Sequence, residues 1–478
     1  MSIALPATGL TDPTNLPGLR QALAALDRDS RLAPLEIRRI EISDTAHLHV
    51  ASAVEDLFRA SGTTAAAPIV ILTDTTDIRR DGELLSSLVE QQLAGRYPAR
   101  LTRLDDGHGT LHADENVLHM ATEAARGASL IITIGSGTMT DIGKVAATRN
   151  DGLPHVALQT AASVDGFTDN VSVVLRNGVK RTIPSAWPSV VLADVVTIGG
   201  APPDMNTAGF GEAVSLFTAP ADWYLSFLLG LDNSFQPASL AMLQAVAAEP
   251  PDWSAGIARG EPASISALTR LLALRGIVSG VSNTTACLSG VEHVISHMLD
   301  LHHAAKHQPI GLHGAQVGVA SLVAARLWRE AIDTDLIRQA RLTPPDPART
   351  AREIREAFGH LGDVIVEECW RDAQAKHQLV TQNWQRIEQV VADWPRHASE
   401  FGKLVIPAET LRKALRASGG PATFQRLAPA ISRDLTLWAV RHCFRMRNRF
   451  NLIDLLDMLG LWTNERITWA LADTMEEA

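Results

Sequence analysis

Residues 129–150 read SLIITIGSGTMTDIGKVAATRN: an apolar run, a Gly135-Ser136-Gly137 turn, and then a stretch of helical composition opening at Asp141. A strand that passes through a glycine turn into a helix builds an anion site. Small residues let a pyrophosphate approach the backbone, and the free N–H groups and dipole of the helix N-terminus face it. The spacing is not the full GxGxxG pattern, and a strand-to-helix turn that merely needs glycine has the same look. Outward from this stretch, short apolar runs at Pro68–Thr73, His155–Leu158 and Ser189–Ala193 alternate with amphipathic segments near 82–94 and 113–126. That alternation is the pattern of parallel strands joined by crossover helices.

Asn177-Gly178 between two β-type runs in 171–184 predicts a hairpin inside this α/β half. After the Gly199-Gly200-Ala201-Pro202-Pro203 break, strand-like runs almost vanish, and long periodic stretches rich in Ala, Leu, Arg and Glu predict an all-helical second half. The expected division is therefore residues 1–200 and 201–478. Irregular segments are expected around 232–263 and 341–349, where prolines cluster.

The chain has 478 residues, 46% of them hydrophobic, enough for two domains. A net charge of -10, from 43 basic and 53 acidic side chains, argues against nucleic acid or an anionic membrane as the main partner. No uninterrupted apolar run of spanning length and no export signal is read, and Cys287, Cys369 and Cys443 lack CxxC spacing. A cytoplasmic setting with reduced, buried thiols is the expectation.

Three positions suggest metal ligands. His293 and His297 are four apart, so they share one helix face, and His313 follows a Gly311-Leu312 turn. Two imidazoles and a carboxylate with one open position suit zinc and similar ions. Glu212, in Ala208-Gly209-Phe210-Gly211-Glu212, is the candidate carboxylate, although taken alone it reads as a dipole partner in a helix's first turn. Peptide hydrolysis is disfavoured, because HExxH chemistry needs a glutamate where Val294 stands. Asp74 ends one strand and Asp165 follows another, so both are expected at the carboxyl edge of the sheet. There an acid at 74 would bind ribose hydroxyls and favour NAD over NADP, though both residues also suit turns.

The ordered set IGSGTMTDIGK, TAASVDGFT, AGFGE with TAPADW, SGVEHVISHMLD and LHGAQVGV resembles the sn-glycerol-1-phosphate dehydrogenases, especially their bacterial branch. These lie within the superfamily of iron-containing alcohol dehydrogenases and dehydroquinate synthases. The stretch RHCFRMRNRFNLIDLLDMLGL is similar to the end of the bacterial members, so the resemblance covers most of the chain from about residue 65. It implies a Rossmann-like α/β N-terminal domain plus an all-helical C-terminal domain, the dehydroquinate synthase-like fold, with the active site in the cleft between them. It further implies that Gly135, Ser136, Gly137, Thr138 and Met139, with Asp141, Thr160, Ser163 and the position of Asp169, serve NAD or NADP. By the same resemblance, Glu212, His293 and His313 hold one divalent ion (zinc, nickel or iron), and Asp165 and His297 contact substrate.

Two departures stand out. Glu212 replaces the family's usual aspartate, as in dehydroquinate synthases, and Asp169 replaces a serine near the cofactor, where a carboxylate is repelled unless protonated, paired or turned away. The implied activity is NAD(P)-linked oxidation and reduction of a small polyol phosphate, most simply sn-glycerol 1-phosphate and dihydroxyacetone phosphate, by a homo-oligomer. Its competitors are a cyclising lyase that uses NAD transiently and a non-catalytic nucleotide-binding relative. Arg181, Lys180 and the basic run 441–449 are candidate anion contacts, with structural or solvated roles weighing more.

Overall fold

The structure is a computed structural model that describes residues 9–62, 67–107, 109, 111–176, 179–247 and 252–476. Four of the six strands of its main sheet are the apolar runs read from sequence: Ile69–Thr73, Leu130–Gly135, His155–Gln159 and Val190–Asp194. They are apolar throughout because helices cover both faces of a parallel sheet. Ile69, Ile71, Leu130 and Ile132 pack on one face with Val54, Leu57 and Phe58. Val70, Leu72 and Ile131 pack on the other with Val117, Leu118 and Ile142. Each such side chain taken from water contributes about 1.5–3 kcal/mol.

The other two strands, Arg39–Ser43 and Ala99–Arg103, lie at the two edges and were not anticipated. All pairings in this sheet are parallel, in the order Arg39–Ser43, Val190–Asp194, His155–Gln159, Leu130–Gly135, Ile69–Thr73, Ala99–Arg103. The strand order reverses between Ile69–Thr73 and Leu130–Gly135, and ligands of open α/β sheets bind outside the carboxyl ends at such a point. The glycine turn and Asp74 follow these two strands. The antiparallel pair Val171–Arg176 and Val179–Pro184 forms as expected, whereas its Asn177-Gly178 turn and the Lys180 side chain lie outside the described residues.

The chain separates into two compact units, Met1–Gly209 with Ala248–Asn283, and Phe210–Ala247 with Thr284–Ala478. Helix Pro262–Ser282, which sequence alone places in the helical half, thus belongs with the sheet. Glycines allow that packing: a Cβ at Gly276 would lie 2.3 Å from the Asp165 carbonyl oxygen, and one at Gly280 would lie 2.1 Å from the Trp187 ring. The same helix is long and apolar enough to cross a membrane, and 78% of that window is buried inside the protein. No strand occurs after Asp194 among the described residues. In the second unit, helices Val291–Ala305 and His313–Asp333 pack against each other and carry all the candidate metal histidines.

His155, fully buried in its strand, bonds Thr133 Oγ1 at 2.8 Å. Burial, reinforced by the Lys144 charge, pushes its pKa down to about 3. The unfolded chain therefore takes up a proton that the folded chain refuses, and stability falls as pH drops from the ordinary histidine range toward 3. In denaturant melts between about pH 6 and about pH 4, the parent should lose about 1.4 kcal/mol per pH unit more than His155→Gln. Equal slopes would show that His155 carries no such penalty.

Candidate metal centre and dinucleotide turn

Helix Pro203–Val214 begins well before Glu212, so the residue occupies the last turn and not a first turn. The dipole there is negative, and a carboxylate is unfavourable unless a cation joins it. The neighbouring Gly211 sets its position. A Cβ on Gly211 would lie 2.2 Å from the Gly314 carbonyl oxygen, and one on Gly318 would lie 2.8 Å from Gly211 Cα. Bare backbone at this crossing brings Glu212 against the start of helix His313–Asp333.

Glu212 Oε1 lies 3.2 Å from His293 Nε2, and Oε2 lies 3.7 Å from His313 Nε2. One ligand atom from each of these three residues is within 4.8 Å of the others. Glu212 and His293 are buried and His313 is half-buried. His297 sits one turn beyond His293, with its ring stacked on that of His313 at 5.4 Å and 24°. A second grouping, His297, Asp300 and His313, meets the same mutual distance.

The donor set fits a divalent ion. Burial opposes a charge on His293, yet the Glu212 and Glu292 carboxylates outweigh it and push its pKa up to about 9. Both candidate histidines also start their helices, His293 as the third residue of Val291–Ala305 and His313 as the first of its helix. At those ends the helix dipole opposes an imidazolium, against the pull of the two carboxylates, and a bound cation would take the place of the proton on Nε2.

In the sheet-bearing unit, helix Gly137–Arg149 starts directly after strand Leu130–Gly135, and the Ser136 side chain makes no cap bond. Its first-turn N–H groups receive no cap from that side chain, an arrangement suited to an anion. Gly137 has no room for a Cβ, which would lie 2.4 Å from Val164 Cγ2, and Gly135 packs on Met139. Thr160 N donates to the Gly135 carbonyl oxygen at 3.1 Å, which sets the 160–163 segment beside the turn, with Ser163 buried in it. Asp74 is half-buried at the adjacent strand end, and its Oδ1 accepts from Thr76 N at 2.8 Å.

Asp141 and Asp169 are both engaged inside the protein. Lys144 Nζ, wholly buried, lies 2.9 Å from Asp141 Oδ1 and 2.6 Å from Asp169 Oδ1, and also donates to the Gly166 and Val171 carbonyls. Burial pushes Asp169 up to about 7, with Lys144 pulling down and Asp141 pushing up. The carboxylate replacing the family's serine is thus paired, one of the conditions that relieves its repulsion. Asp165 Oδ2 is gripped by buried Arg275, with Nε and Nη2 both at 3.2 Å. Neither Lys144 nor Arg275 was marked as functional from sequence. Of the basic run, Arg445 pairs with Glu353, and Arg449 reaches Ser289 O and Thr285 Oγ1 at 3.4 Å each.

The family profile described as iron-containing alcohol dehydrogenase matches residues 47–202. The chain is 28% identical over 382 residues to an NAD(P)+ glycerol-1-phosphate dehydrogenase of Bacillus subtilis, covering 80% of this chain and 83% of the relative. A relative of the same name from Haloquadratum walsbyi is 30% identical over 279 residues, 58% of this chain and 73% of the relative. Among solved structures, a probable glycerol dehydrogenase from Sinorhizobium meliloti matches with a TM-score of 0.53 at 14% identity, covering 88% of this chain and 95% of that one.

Gly211→Val should force the two helices apart, cost about 1–3 kcal/mol and weaken zinc binding at least about tenfold. Gly359→Ala, whose Cβ meets nothing within 4 Å, serves as the control and should change neither. Thermal melts and chelator competition read both effects. Unchanged zinc affinity in Gly211→Val would show that the glycine crossing does not position Glu212.

Proposed function

The chain belongs to the glycerol-1-phosphate dehydrogenases, within the iron-containing alcohol dehydrogenases, and from that membership we propose how its residues divide the work of an NAD(P)-linked polyol phosphate oxidoreductase. The reaction exchanges a hydride between the nicotinamide and the C2 carbon of sn-glycerol 1-phosphate, and runs physiologically as reduction of dihydroxyacetone phosphate. The observation that carries this reading is the convergence of Glu212, His293 and His313 on one buried point.

Those three side chains hold one divalent ion. Two imidazoles and a carboxylate suit zinc first, with nickel and iron as the other candidates. When bound, the ion supplies Lewis-acid stabilisation of the charge that develops on the substrate oxygen. His297, half-buried and stacked on His313, gives a proton to that oxygen during reduction and takes it back during oxidation. Asp165, held in one orientation by Arg275, contacts substrate hydroxyls. The backbone of Gly135–Thr138 receives the pyrophosphate, with Met139, Thr160 and Ser163 shaping the turn. Asp74 accepts bonds from the ribose hydroxyls through the oxygen not used on Thr76, which favours NAD. Three buried free thiols are in keeping with a reducing, cytoplasmic setting.

Purified protein should contain one divalent ion per chain and oxidise NADH in proportion to dihydroxyacetone phosphate. His293→Ala and His313→Ala should lose metal and turnover together, and a fully active, metal-free His293→Ala protein would remove the mechanism. NADH that is never consumed while the substrate disappears would point to a cyclising lyase, which regenerates its cofactor in each turnover. Asp74→Ser should shift the NAD to NADP ratio of kcat/KM toward NADP by about tenfold, equivalent to removing about 1.4 kcal/mol of repulsion.

A further inference from the structure

We propose that Glu292 and Ser296, one turn apart on helix Val291–Ala305, are positioning residues that grip the outer nitrogens of His293 and His313 and so present both Nε2 atoms to the ion position they share with Glu212. The inference rests on the reading of Glu212, His293 and His313 as ligands. It adds why these imidazoles stand ready in one tautomer and one orientation.

Glu292 is wholly buried. Its Oε1 lies 3.0 Å from His293 Nδ1 and accepts from Gly290 N at 2.6 Å, while Oε2 accepts from Thr218 Oγ1 at 2.8 Å. A carboxylate held by three donors cannot rotate away. It can only accept, so the proton His293 keeps when it binds an ion is the one on Nδ1, and Nε2 is the nitrogen freed for the ion shared with Glu212.

Ser296 is also wholly buried, and its hydroxyl donates to Gln316 Oε1 at 2.7 Å. With its single proton spent there, the hydroxyl oxygen can only accept from His313 Nδ1, 3.0 Å away. The second imidazole is therefore also protonated on its outer nitrogen. Two unlike side chains on one helix face impose the same tautomer on both candidate ligands. A structural role for Glu292 alone, closing the turn at Gly290, would not require Ser296 to match it. Outer partners of this kind fix ring orientation and ligand basicity, and their loss typically costs 10–100-fold in metal affinity.

The test is zinc affinity of the full chain by chelator competition, paired with the electronic spectrum of the cobalt(II)-substituted protein. Glu292→Leu should weaken zinc about 10–100-fold and alter the cobalt spectrum, whereas Glu292→Gln, which keeps an acceptor for Nδ1–H, should recover most of both. Ser296→Ala should weaken zinc about tenfold, and it decides the matter if Glu292→Leu fails to fold. Unchanged affinity in Glu292→Leu or Ser296→Ala, or equal losses in the Leu and Gln variants, would overturn the proposal. His293→Ala separates the two levels. If it binds zinc like the parent, the ligand assignment itself fails, and if it loses zinc while Glu292→Leu does not, only the positioning role fails.

Discussion

Glu212 is the constraint around which the second unit is arranged. A carboxylate buried at the negative end of its own helix is costly unless a cation or strong donors offset it. The fold brings two imidazoles to it, each on the first turn of a different helix, and clears the approach with glycines at 211 and 318. The neighbouring carboxylates extend the arrangement. Asp222 accepts from Val291 N and Leu452 N, and burial together with Glu292 pushes its pKa up to about 8. It joins the start of helix Val291–Ala305 to helix Leu452–Met458.

In the first unit the start of helix Gly137–Arg149 has no side-chain cap from Ser136 and is held rigid from behind. The strand-order reversal puts the glycine turn and Asp74 at neighbouring carboxyl ends. Behind them Lys144 ties helix Gly137–Arg149 to the 166–171 loop and hairpin, so two carboxylates and two carbonyls share one buried ammonium. Helix Pro262–Ser282 closes the other side of that loop, with Thr168 Oγ1 donating to Ala273 O at 2.8 Å and Arg275 on Asp165. Loop geometry at Asp165 thus depends on a helix more than a hundred residues away in sequence.

Much of this was legible because burial on both faces writes itself as unbroken apolar runs. The strands at 69–73, 130–135, 155–159 and 190–194 are of that kind. Arg39–Ser43 and Ala99–Arg103 escaped because edge strands with partly exposed residues leave no run to find. Helix Pro262–Ser282 was recognisable as helix but not by unit, since its partners, among them strand Arg39–Ser43, helix Val195–Gly199, the Asp165–Thr168 loop and Trp187, are not revealed by periodicity. In the candidate site, the i, i+4 spacing of His293 and His297 and the glycines around Glu212 were readable. The partners of the ligands were not. Glu292 reaches His293 although adjacent helical side chains ordinarily point apart, and Lys144 finds Asp169 only through the tertiary fold.

The most direct measurement of the central claim is X-ray absorption at the metal edge of the purified protein in solution. With Glu212, His293 and His313 on one ion, the spectrum shows a first shell of nitrogen and oxygen at about 2.0–2.2 Å with outer scattering from two imidazoles and no sulfur. Sulfur at about 2.3 Å, or a shell with no imidazole signature, would contradict it.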